Sequence, residues 1–253
     1  MIEKVKIKNS KGQNISAVIH RPDIKTKKLA ILCPGFLDTK NYDHLILLSE
    51  ELLKKGFTVV RFDPTGTWES EGDISEYLTS QYLNDVRSVL EYMLKEKNYS
   101  YILLGGHSRG GLISILYASL DSRISFVLGI MPSSIRIMIG TKREEWEKAG
   151  FSIAKRDIPK KNEEIEFKVP YSHVIDRDQF NVFEAVKKIT VPLVMIAGEL
   201  DKACLPEDVK KLFDQANEPK KFILMKNIGH EYRHNLLEIK EVNKEIINSL
   251  ELP

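Results

Sequence analysis

Short apolar runs alternate along most of the chain with segments in which apolar residues recur every three or four positions. The runs have strand length and are typical of strands buried on both faces; they cover 29–33, 57–62, 101–105, 125–131, 191–197 and 221–225. Helical spacing is found over 45–53, 82–93, 112–120 and 236–247. Before the first run, 5–8 and 15–20 predict an antiparallel pair. This pattern predicts an α/β fold with a mostly parallel sheet and helices on both faces.

The stretch 132–183 breaks this alternation. A charged helix is predicted over 142–148, followed by two segments with strand alternation around a turn at 158–162. We therefore expect one core built from 1–131 and 184–253, with 132–183 inserted as a small lid that contains a β-hairpin and lies over the functional site. The alternative is a surface excursion that does not contact a substrate.

The run 101–105 ends in the sequence Gly-His-Ser-Arg-Gly at 106–110, and a helix is predicted to follow. A serine at such a strand-to-helix turn has strained backbone geometry, and small residues two positions away on each side let the chain segments approach closely. Its hydroxyl is exposed at the sheet edge, beside a helix N-terminus that favours negative charge. Ser108 is therefore the candidate nucleophile; the alternative is a glycine-rich turn with Ser108 as a helix N-cap.

A serine nucleophile needs a base within hydrogen-bonding distance, and the base is oriented by an acid. In hydrolases with this turn the chain order is serine, acid, histidine. Three histidines follow Ser108: His173 in the predicted lid, His230 in the loop after the last strand run, and His234 near the start of the last helix. We expect His230 to be the base, because its loop reaches the same sheet edge as Ser108; His234 is the alternative.

The acid is expected in the loop after the strand run that precedes the last one, where Asp201 is the candidate. Glu199 and Asp208 are the alternative candidates for the acid. For Asp201 itself, the alternative to a catalytic role is a structural role as a turn residue. A tetrahedral intermediate also needs two amide donors. We predict that these are the backbone N–H groups of Arg109, directly after the nucleophile, and of Phe36, in the loop after the first buried run.

The composition of the chain limits the classes of binding partner that we expect. The chain has 253 residues, 42% of them hydrophobic and 29% charged, with a formal net charge of +2. This balance gives no electrostatic basis for binding nucleic acid or a membrane surface. No segment has the length of a membrane span or the apolar core of a signal peptide, so we expect a cytoplasmic protein.

Cysteine and glycine patterns bear on cofactors. The two cysteines, Cys33 and Cys204, are expected to be free thiols, and a single disulfide is the alternative. No Cys/His cluster has metal-ligand spacing, and no glycine-rich dinucleotide or phosphate-loop motif follows a strand. We therefore expect no metal, no cofactor and no nucleotide.

These motifs together resemble the α/β-hydrolase fold family over nearly the whole chain. The resemblance rests on 106–111, on Gly-Glu-Leu-Asp at 198–201, on Gly-His at 229–230, and on 61–72, which looks like the family's Arg-x-Asp-x-x-Gly-x-Gly-x-Ser segment. Pro-Gly-Phe at 34–36 and the short insertion look most like feruloyl and cinnamoyl esterases within the family. The resemblance implies an eight-stranded, mostly parallel sheet, an acyl-serine intermediate and carboxylic ester substrates.

Two departures from the family pattern lie near the predicted oxyanion loop. Pro34 stands where the family usually has histidine before glycine, and Thr67-Trp68 replace the usual His-Gly. They bear on substrate preference and donor geometry and leave the three candidate catalytic residues unchanged.

The sequence thus predicts a serine esterase that cleaves small-molecule esters of short or aromatic acyl groups. The candidates for its substrate pocket are Trp68, Phe151, Phe167 and Tyr171; alternatively, these aromatic side chains at strand spacing belong to the core. A thioesterase, peptidase or acyltransferase uses the same triad, and a non-catalytic binding protein of this fold is a further alternative. The sequence leaves open whether the chain forms a homo-oligomer.

Overall fold

The computed structural model describes residues 1–134 and 141–250. The strands in this part of the chain are β1 Ile2–Lys8, β2 Asn14–His20, β3 Lys28–Cys33, β4 Phe57–Phe62, β5 Tyr101–His107, β6 Phe126–Ile130, β7 Phe151–Asp157, β8 Glu164–Pro170, β9 Leu193–Gly198 and β10 Lys220–Met225. Eight of them form one sheet in the order β1-β2-β4-β3-β5-β6-β9-β10. The pairs β1-β2 and β2-β4 are antiparallel, and the other pairs in this sheet are parallel. The predicted α/β fold is confirmed.

Helices cover both faces of the sheet, which is why its central strands are buried and predominantly apolar. The helices are α1 Asp43–Lys54, α2 Thr79–Glu96, α3 Arg109–Ala118, α4 Thr141–Ala149, α5 Ser172–Arg177, α6 Val182–Val186, α7 Pro206–Asp214 and α8 Leu236–Ser249. One core lies between the sheet and α1 with α8, and the other between the sheet and α2, α3, α6 and α7. None of the helices within the described ranges is both long and apolar enough to cross a membrane.

Between β6 and β9 the chain leaves the sheet and forms α4, the antiparallel hairpin of β7 with β8, and two short helices. The hairpin contacts the core through Tyr42, whose Oη donates to the backbone oxygen of Asp157 at 2.8 Å. It contacts α4 through Trp146, whose Nε1 donates to the backbone oxygen of Val169 at 3.0 Å. Of the lid predicted over 132–183, residues 135–140 lie outside the described part of the chain. Its role as a lid stays a prediction.

Candidate active site

The turn between β5 and α3 holds Ser108 in a strained conformation, with φ 53° and ψ −116°. The chain segments are close enough here to exclude side chains on both flanking glycines. A Cβ on Gly106 would lie 2.2 Å from the backbone oxygen of Cys33, and one on Gly110 would lie 1.9 Å from the same oxygen. The steric requirement inferred from the Gly-x-Ser-x-Gly spacing is therefore present in the structure.

Ser108, His230 and Asp201 form a continuous chain of hydrogen bonds. Asp201 Oδ2 lies 2.8 Å from His230 Nδ1; because a carboxylate only accepts, Nδ1 carries the proton. The unprotonated Nε2 then accepts from the Ser108 hydroxyl at 3.0 Å. Each of the three follows the carboxyl end of a parallel strand (β5, β9 or β10), and these ends meet at one edge of the sheet.

The carboxylate of Asp201 is fixed by the turn that follows it. Its Oδ1 accepts from the backbone N–H groups of Ala203 at 2.8 Å and Cys204 at 2.7 Å, so Oδ2 is left for His230. These two bonds are those of an Asx-turn. Asp201 therefore both stabilises the turn and contacts His230.

The alternative acids and base have other partners. Glu199 accepts from the backbone N–H of Asn227 at 2.9 Å, and Asp208 lies on α7 with Lys211 at 3.5 Å. His234 is half exposed and faces Glu231 at 3.4 Å. The structure therefore does not bring these three side chains to Ser108.

The two residues predicted to donate to the oxyanion line the same cavity as Ser108. Arg109 is the first residue of α3, and the first N–H groups of a helix have no partner within it. Phe36 lies in the loop after β3. The backbone oxygen of Phe36 accepts from Arg156 Nε at 3.2 Å and Nη2 at 2.8 Å, which ties this loop to the hairpin.

A buried ion pair that sequence reasoning missed also holds this loop. Asp63 accepts from Thr39 Oγ1 at 2.9 Å, from the backbone N–H of Lys40 at 2.8 Å and from Lys40 Nζ at 2.5 Å. The side chains of Lys40 and Asp63 are almost completely buried, and burial raises the pKa of the Asp63 carboxyl even though Lys40 opposes the change. The pair joins the end of β4 to the loop that carries Phe36.

A cavity of about 920 Å³ lies over Ser108 and His230. Of the four predicted pocket aromatics, Phe151 lines it, whereas Trp68, Phe167 and Tyr171 are not among the described residues of its wall. Trp68 and Phe167 pack against each other at 5.6 Å between ring centroids, and Trp68 Nε1 donates to the backbone oxygen of Leu37 at 2.9 Å. Trp68 and Phe167 therefore pack against each other beside the loop that carries Leu37, and the role of Trp68, Phe167 and Tyr171 in binding a substrate stays a prediction.

Trp68, which stands where the family usually has glycine, adopts a backbone conformation that is unusual for a residue with a side chain. Trp68 has φ 47°, in the left-handed region that favours glycine. Tyr171 precedes α5, where its backbone N–H donates to the Gly150 oxygen at 2.9 Å and continues the hairpin.

A second polar cluster that sequence reasoning missed surrounds Asp38, which lines the cavity. His107 lies 3.8 Å, Arg156 3.8 Å and Arg233 3.9 Å from this buried carboxylate. Burial opposes ionisation, yet the proximity of His107 and the charge of Arg233 hold the pKa of Asp38 well below its usual value. No local sequence signal links these residues, because they come from four separate segments.

Two groups of three metal-ligating side chains come together in the described part of the chain although their spacing gave no signal. They are Asp38 with His44 and His107, and Asp201 with Cys204 and His230. In the first group, the positive charges of Arg156 and Arg233 next to Asp38 oppose the binding of a cation. In the second group, Asp201 and His230 already form the hydrogen bonds that lead to Ser108. Cys33 and Cys204 are both buried and free, as expected.

Comparison with known proteins agrees with this architecture. A sequence profile of the family described as serine aminopeptidase, S33, matches residues 24–164. An uncharacterized 31.7 kDa protein of Escherichia coli is 23% identical over 220 residues, which are 74% of this chain and 77% of that protein. The mitochondrial palmitoyl-protein thioesterase ABHD10 of Mus musculus is 21% identical over 208 residues, 79% of this chain and 67% of the mouse protein.

The fold is also that of solved structures. Est1E from Butyrivibrio proteoclasticus, solved with ferulic acid bound, superposes with a TM-score of 0.78 at 23% identity, covering 98% of this chain and 99% of that one. The profile match spans more than half of the chain, and it includes β3, the turn at Ser108 and α3. The chain belongs to the serine aminopeptidase S33 family of α/β-hydrolases.

Proposed function

We propose that the protein is a serine hydrolase that cleaves carboxylic esters through an acyl-serine intermediate. The observation that carries the proposal is the chain of hydrogen bonds from Asp201 through His230 to Ser108, at the base of a cavity of about 920 Å³. An activated serine of this kind attacks carbonyl carbons. The substrate is a small molecule, and no step needs a cofactor.

In the first half of the reaction, Ser108 Oγ attacks the ester carbonyl carbon while His230 Nε2 takes the hydroxyl proton. The backbone N–H groups of Arg109 and Phe36 donate to the oxyanion, and Asp201 stabilises the imidazolium. His230 then gives its proton to the leaving alcohol as the C–O bond breaks. In the second half, water attacks the acyl-serine, His230 accepts its proton, and Ser108 recovers it as the acid leaves.

We also propose that 132–183 acts as a lid over this site. Phe151 on β7, His173 on α5 and Trp146 on α4 all line the cavity, so the inserted segment supplies much of the wall that faces a substrate. Exclusion of water by such a wall strengthens the hydrogen bonds to the oxyanion.

A thioester is the second candidate substrate, because the mouse relative is a palmitoyl-protein thioesterase. The same triad cleaves both bonds, since the leaving thiol or alcohol departs after the same tetrahedral intermediate.

The test is turnover of an ester, a thioester and an amide that share one acyl group, by the wild type and by Ser108→Ala. We expect ester cleavage by the wild type, and a loss of about four or more orders of magnitude in the variant. Faster cleavage of the thioester than of the ester would indicate that the substrate is a thioester, the second candidate. Ester turnover by Ser108→Ala at the wild-type rate would refute the proposal.

A further inference from the structure

Two arginine side chains on the wall of the cavity are buried and have no carboxylate partner among the residues that the structure describes. Arg109 is 4% and Arg177 8% exposed, and both line the cavity above Ser108. Within the described residues, neither guanidinium forms an ion pair with an aspartate or glutamate. The other three arginines of this wall have carboxylate neighbours. Arg143 pairs with Asp178, and Arg156 and Arg233 lie beside Asp38.

Among the described residues, the side chains and backbone groups that contact the Arg109 guanidinium are neutral. It lies 4.0 Å above the ring of Tyr77, and its Nη1 is 3.2 Å from His173. His173 Nδ1 donates to the backbone oxygen of Tyr77 at 2.8 Å. Burial, followed by the charge of Arg109, keeps the pKa of His173 well below its usual value, so this ring is neutral and leaves the charge of Arg109 uncompensated.

The Arg177 guanidinium also has few partners. Its Nη1 donates to the backbone oxygen of Phe180 at 3.0 Å, and its buried Nη2 has no hydrogen-bond partner in the described part of the chain. Arg109 Nε is likewise without a partner there. Burial and the nearby charge of Arg109 lower the pKa of Arg177 to about 10, while the adjacent Asp178 carboxylate is engaged by Arg143 at 2.5 Å.

A buried cation without an anion is costly, and a buried charge is normally paired or bound to a ligand. Two such cations on one wall of a substrate cavity call for an anion that arrives with the substrate. A carboxylate fits this role, because guanidinium groups donate charge-assisted hydrogen bonds to its oxygens.

We propose that the acyl group of the substrate ends in a carboxylate that binds Arg109 and Arg177, so that the enzyme cleaves monoesters of dicarboxylic acids. This inference rests on the proposed function and names its substrate class. The ester carbonyl lies at Ser108, and the acyl chain runs past the apolar wall formed by Phe36 and Trp146 to the two arginines.

The test compares monoethyl adipate with the ethyl ester of adipamic acid, which has the same length and an uncharged amide in place of the carboxylate. Ethanol release gives kcat/KM for both esters. We expect the wild type to favour the anionic ester by about 10- to 100-fold, and Arg177→Met to bring this ratio close to one. Arg177→Lys keeps the charge and should retain part of the preference. Lys142→Met, which removes an exposed cation from the same cavity, should retain the full ratio.

Equal kcat/KM for the two esters in the wild type would overturn the inference while leaving the esterase proposal intact. If neither ester is cleaved, the proposed function fails, and calorimetric binding of adipate and adipamide to the wild type decides the inference separately. We expect adipate to bind at least about 10-fold more tightly than adipamide. Equal or absent binding of both would overturn the inference, and so would an unchanged substrate ratio in a folded Arg177→Met protein.

Discussion

Replacement of Gly110 by alanine tests whether the close approach of the turn to β3 is what positions Ser108. The added Cβ would lie 1.9 Å from the backbone oxygen of Cys33, where ordinary contact begins at 3.4 Å. The turn and the strand must therefore separate by about 1.5 Å, and no flexible side chain can yield in their place, because the opposing atoms are backbone.

A shift of this size affects both stability and catalysis. Overpacking against backbone should lower the free energy of unfolding by about 3 kcal/mol. Displacement of Ser108 by about 1 Å from His230 should lower kcat by about 100-fold. Urea unfolding and ester turnover measure the two effects. The control is Gly229→Ala, whose added Cβ would come no closer than 3.6 Å to a neighbour, and it should keep both values near those of the wild type. Wild-type stability and turnover in Gly110→Ala would refute the steric argument.

Two further predictions concern buried titratable side chains. Lys40→Met leaves Asp63 buried without its cation and should lower the free energy of unfolding in urea by about 3–5 kcal/mol. Lys54→Met, which removes an exposed pair with Glu51, should leave the free energy of unfolding almost unchanged, and equal losses in the two variants would contradict the account. Burial lowers the pKa of His44 to about 3. The unfolded chain therefore binds a proton at this side chain below about pH 6.5, whereas the folded chain does not bind it until about pH 3. The free energy of unfolding consequently falls as the pH drops from 6.5 towards 3. His44→Leu should make this fall shallower by about 1.4 kcal/mol per pH unit, and an unchanged slope in acid unfolding curves would show that His44 is not its source.

The strands of the sheet were predictable because parallel strands buried on both faces leave continuous apolar runs in the sequence. The structure has β4 over Phe57–Phe62, the range that the pattern predicts, with all six residues buried. The helices α5 and α6 were not predicted because segments of 6 and 5 residues offer too few apolar positions to define a helical period. In α7, by contrast, Val209, Leu212 and Phe213 have helical spacing, a signal that could have indicated this helix.

The candidate site was predictable to the extent that it lies at strand ends. Ser108, Asp201 and His230 each follow a parallel strand, so topology alone brings them to one edge of the sheet. The wall opposite them was not predictable. Its shape depends on how the inserted segment packs on the core, and this packing places the side chains of His173 and Arg177 on the cavity without any local signal in the sequence.

The most direct test of an activated serine is labelling with a fluorophosphonate, followed by peptide mass mapping, in the wild type and Ser108→Ala. The hydrogen bonds from Asp201 through His230 predict one phosphonylated residue, Ser108, with no labelling of the variant. Absence of label in the folded wild type, or label that persists in Ser108→Ala, would contradict the account.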